Sequence, residues 1–119
     1  MIFNNKTAEE DSFALRWYKV REKIKQNFGK RPDINAMLFI IGMNELGIVK
    51  EEWTKEEKQN LMHIAVCKLL SMDGYYIFEK TDEDGWPHYS ENKAIPPLHI
   101  KEQEVLLKNN IVRYLEEKM

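Results

Sequence analysis

The sequence predicts a mainly α-helical single domain: a compact bundle of about four helices with a small β-hairpin or extended insertion between the third and fourth. Three observations carry this. Four segments repeat apolar residues at three- and four-residue spacing, capping residues and glycines mark their ends, and Tyr75-Tyr76-Ile77-Phe78 interrupts the pattern with strand formers. At 119 residues the chain has the size of one domain. Residues 1–10 are read as a candidate disordered end.

The first helix is expected over about residues 12–28, where Phe13, Trp17, Val20, Ile24 and Phe28 form one amphipathic stripe. Gly29 is placed as its stop signal. Pro32-Asp33 opens the second helix, 33–46, with Asp33 as N-cap and Gly47 closing it. Met37, Leu38, Phe39, Ile40, Ile41 and Met43 surround its axis, so it must be covered on several sides, by its own domain or by a partner. Gly42 in that setting is expected to mark the close passage of another backbone.

Thr54-Lys55-Glu56-Glu57 is a capping box that starts the third helix, 54–72. Leu61, Met62, Ala65, Val66, Leu69, Leu70 and Met72 fill about half of its circumference. A hairpin or loop is expected over about 75–90, with Thr81 to Gly85 as the turn and Trp86 to Tyr89 as the returning strand, which Pro87 restricts to an edge. The last helix, about 99–117, is assigned a main stripe of Ile100, Leu107, Ile111, Tyr114 and Leu115 and a lesser one of Val105 and Val112.

With 18 basic and 20 acidic side chains, the chain as a whole has no bias toward polyanions. Cys67 is the only cysteine, which rules out an internal disulfide and a cysteine-rich zinc module. The first residues lack the apolar core of a signal peptide. The longest apolar run, Ala36 to Met43, falls far short of the roughly 20 residues that span a bilayer. The expected location is a reducing cytoplasm, with no membrane contact.

Three segments, Arg31-Pro32-Asp33-Ile34-Asn35-Ala36-Met37-Leu38-Phe39-Ile40-Ile41-Gly42, Leu61-Met62-His63-Ile64-Ala65-Val66-Cys67-Lys68 and Asp84-Gly85-Trp86-Pro87-His88, resemble a small family of uncharacterised bacterial proteins. The resemblance covers about residues 13–117. It implies no activity, cofactor or site.

Four constellations have chemical potential. His63 and Cys67, four residues apart on one helix, can face one metal ion, with His88 and His99 as further ligand candidates. The same pair can act as base and thiol nucleophile. Its ordinary reading is a boundary histidine beside a packed cysteine. Arg16, Lys19, Lys23 and Lys25, in a basic run that also holds Arg21, Lys30 and Arg31, are nucleic-acid candidates; their ordinary role is a solvated collar around the buried stripe. Trp86 and Tyr89 beside the acidic Asp82-Glu83-Asp84 turn can anchor a partner or fold back over the helices. Phe39, Ile40 and Met43 complete the interface candidates, as the apolar excess of the second helix.

Phosphate-loop, dinucleotide-binding, serine-hydrolase and zinc-protease patterns are absent, and no motif calls for a cofactor. The favoured expectation is a non-enzymatic protein-interaction module that associates with itself or with another protein. A nucleic-acid-binding module through residues 16–31 and a metal or thiol enzyme centred on His63 and Cys67 are the alternatives.

Overall fold

A computed structural model describes residues 8–48 and 50–118, with side chains from Ser12 onward. Helix α1 spans Ala8–Phe28 and ends where Gly29, at φ 84°, donates its N–H to the Lys25 carbonyl at 2.7 Å. It starts about four residues before the stripe suggests, so the candidate disordered end is helical at residues 8–10; residues 1–7 lie outside the described residues.

Helix α2, Ile34–Leu46, begins at Asp33, whose carboxylate accepts from the Ala36 N–H at 2.8 Å, and stops at the left-handed Gly47. Helix α3, Lys55–Ser71, has both bonds of the expected capping box: Glu57 N–H to Thr54 Oγ1 at 3.1 Å and Thr54 N–H to Glu57 Oε1 at 2.9 Å. Strands β1, Tyr76–Thr81, and β2, Pro87–Glu91, form the antiparallel hairpin, and α4 runs over Ile100–Lys118. No helix among the described residues is long and apolar enough to cross a membrane.

The core gathers Val20 and Ile24 from α1, Met37, Leu38 and Ile41 from α2, Ala65 and Leu69 from α3, and Ile111, Val112, Tyr114 and Leu115 from α4. Helices α2 and α3 make the closest pair. An added Cβ at Gly42 would lie 2.2 Å from the Leu61 carbonyl oxygen, so the backbones touch where the sequence led us to expect it. Much of the all-round apolar surface of α2 is therefore covered within the chain, leaving Phe39, Ile40 and Met43 half-buried.

Four positions depart from the sequence reading. Val112 is buried and belongs to the core, whereas Ile100, assigned to the main stripe, is 83% exposed. Phe28 is likewise 62% exposed. Both residues terminate helices, where the periodic face runs past the neighbours that would cover it. Trp86 belongs to the turn, not to the returning strand, which starts at Pro87 and continues to Glu91.

The buried Asn110 and Tyr114 side chains are paired across elements. The Asn110 amide donates to the Leu69 carbonyl at 3.1 Å and to Asp73 Oδ2 at 2.7 Å, tying α4 to the end of α3. The Tyr114 hydroxyl donates to Glu45 and accepts from Asn44, tying α4 to the end of α2. Burial and the Glu45 carboxylate both push that phenol above its ordinary pKa.

Candidate functional site: a histidine-lined cleft and an apolar groove

The hairpin is tied to the end of α3 through the residue before β1, because the Tyr75 N–H donates to the Leu70 carbonyl at 3.1 Å. Its turn is organised by one side chain. Asp82 Oδ1 accepts from the Asp84 N–H at 2.9 Å and the Trp86 N–H at 3.0 Å, and the Gly85 backbone, at φ 88°, completes the reversal. Asp82 Oδ2 stands 2.8 Å from His88 Nε2. The register supports this reach: Thr81 pairs with Pro87 and Lys80 with His88, with an irregularity at Glu79 before Phe78 meets Tyr89. The hydrogen bond from His88, then those from the Trp86 and Asp84 amides, hold the Asp82 carboxyl below its ordinary pKa.

This arrangement encloses a cleft of about 390 Å³ between α3 and the hairpin. Asn60, His63, Ile64 and Cys67 line it from α3, and Asp82, Trp86, Pro87, His88 and Tyr89 from the hairpin. Three of the four ligand candidates thus come together. His99 does not line the cleft; it sits exposed before α4, where its carbonyl accepts from the Gln103 N–H at 2.9 Å.

Within the cleft, Cys67 Sγ is 3.7 Å from His63 Nε2. The cysteine is 5% exposed, and burial raises its thiol pKa, so the sulfur stays protonated rather than becoming a thiolate nucleophile. Among the described residues, no three His, Cys, Asp or Glu groups form a set able to hold a metal ion. The chemistry on offer is polar binding along an aromatic wall. Tyr89 is half-buried, packs edge-on against Phe78 at 5.8 Å, and has its phenol pushed up to about 12 by burial and the nearby Glu45 charge. Trp86 and Tyr89 line the cleft from the hairpin side, opposite α3.

The remaining interface candidates form a second feature. Phe39, Ile40 and Met43 line an apolar groove of about 440 Å³ with Ile24, Phe28 and Ala36, and Lys30, Arg31 and Asp33 border it. Trp53 packs edge-on against Phe39 at 6.2 Å, and Lys50 lies over the Trp53 ring. Sequence reasoning missed Phe28 as an exposed member, because its spacing places it on the buried stripe.

The basic candidates are divided. Arg16 makes a forked contact with Glu116, Arg31 reaches Glu22 at 2.6 Å, and Arg21 donates to the Pro32 carbonyl at 3.1 Å. Those arginines are engaged by groups of the chain itself. Lys19, Lys23 and Lys25 are exposed on α1. The chain matches no known family model, and no curated protein or solved structure is significantly similar to it.

Proposed function

We propose that this chain is a protein-interaction module that associates with a second copy of itself through the α1–α2 groove. The observation that supports this most directly is Phe28, a large aromatic side chain 62% exposed beside the half-buried Phe39, Ile40 and Met43. An apolar cluster of this kind at a surface marks a contact site.

Charge favours a second copy as the occupant. Lys30 and Arg31 border the groove, while the exposed Glu51 and Glu52 directly precede Trp53, which packs on Phe39. A two-fold axis pairs each surface with its own copy, so a patch carrying both signs is self-complementary when the copies run antiparallel. The expected species is a dimer that weakens with dilution and with salt.

Light scattering coupled to size-exclusion chromatography tests the proposal. The native chain is expected to run above 14.2 kDa. Phe28→Glu, which puts a charge in the contact at an exposed position on the last turn of α1, is expected to return it to the monomer mass. A native chain that stays monomeric at millimolar concentration overturns the proposal.

A further inference from the structure

Independently of the groove, we propose that the cleft between α3 and the hairpin binds a small uncharged nitrogen heterocycle of the nucleobase or nucleoside class. The polar groups define the ligand. An ionised carboxylate only accepts, so the Asp82 contact puts a proton on His88 Nε2, and in the uncharged imidazole this leaves the Nδ1 lone pair as an acceptor. Asp82 is held in its ionised form by three hydrogen bonds, so this tautomer is built into the turn.

Asn60 lies one helical turn before His63 on the same face of α3, and its amide offers a donor and an acceptor side by side. That pair matches the edge of a base, where a ring nitrogen or carbonyl stands next to an N–H group. Trp86, Pro87 and Ile64 supply an apolar and aromatic wall, suited to a flat ring more than to a flexible chain. No lysine or arginine lines the cleft, and its one fixed charge is the Asp82 carboxylate. A phosphate is therefore disfavoured, and the ligand is a base or nucleoside rather than a nucleotide. The cavity lies at the small end of the range for such sites, about 300–1,000 Å³.

The test titrates adenine, adenosine, cytidine, uridine and adenosine monophosphate into the full chain. The imidazole nitrogens of His63 and His88 and the Trp86 indole N–H are followed by NMR. At least one uncharged compound is expected to bind with a Kd below about 1 mM and to shift His88 Nδ1 in the direction of an accepted hydrogen bond. The monophosphate is expected to bind at least about tenfold more weakly than its nucleoside. Asn60→Ala and His88→Ala remove exposed side chains, so circular dichroism is expected to be unchanged while affinity falls about tenfold each. The proposal is overturned if none of the uncharged compounds shifts these signals, if the monophosphate binds as well as adenosine, or if binding survives both substitutions.

Discussion

The Leu61 carbonyl occupies the space that a side chain at Gly42 would need. The added carbon would come to 2.2 Å from the oxygen and 2.7 Å from the carbonyl carbon, both main-chain atoms that cannot swing aside. Helix α2 can approach α3 this closely only with glycine at that position.

Gly42→Ala therefore sets two effects against each other. Alanine favours the helix by about 1 kcal/mol, but separating the two backbones costs on the order of 3 kcal/mol through lost packing. The expected result is net destabilisation by about 2 kcal/mol, read as a lower midpoint in urea denaturation. A midpoint equal to or above that of the native chain would show that the helices tolerate wider spacing.

Cys67 is expected to be chemically quiet. Its burial and its raised pKa act together, so a disulfide reagent at pH 7 should modify the native chain far more slowly than the urea-unfolded one. Equal rates in the two states would mean that the cleft exposes the sulfur and would reopen the thiol chemistry discounted above.

The Asp82 turn has a defined acid limit. Because the folded pKa lies below the ordinary value of 3.8, the stabilisation is fully present above that value and is lost as pH falls through the lower folded one. The Asp84 and Trp86 amide signals should thus hold their positions down to about pH 4 and then move together with Asp82 protonation. Asp82→Asn keeps the shape but removes the charge, and is expected to abolish that acid transition. Movement of these amides with an unchanged midpoint in the variant would assign the transition to another group.

What was legible in the sequence follows from the range of the interactions involved. Asp33, Gly47 and the Thr54–Glu57 box act on their own neighbours, so the ends of α2 and the start of α3 followed from local spacing. Which face of α4 is buried depends on where α1 and α3 stop. Periodicity accordingly placed Ile100 inside and ranked Val112 second, and the packing reversed both. The cleft was legible in its members, not in their meeting. His63 and Cys67 share a helix face by spacing alone, whereas His88 joins them through the hairpin register, the irregularity at Glu79 and the reach of Asp82 across the turn. Phe28 shows the opposite error: its spacing was right, but at the end of α1 nothing covers it.

The contact between Gly42 and Leu61 also bears on how the chain reaches its native state. Helices α2 and α3 are adjacent in sequence, separated by the short segment from Gly47 to Thr54, and both are capped by their own residues. Their pairing closes a short loop at small entropic cost, whereas α1 and α4 meet across nearly the whole chain. The helical hairpin is therefore expected to form in the folding transition state, with the terminal helices docking on it afterwards. In stopped-flow kinetics, Leu61→Ala should slow refolding, and Val20→Ala should mainly speed unfolding.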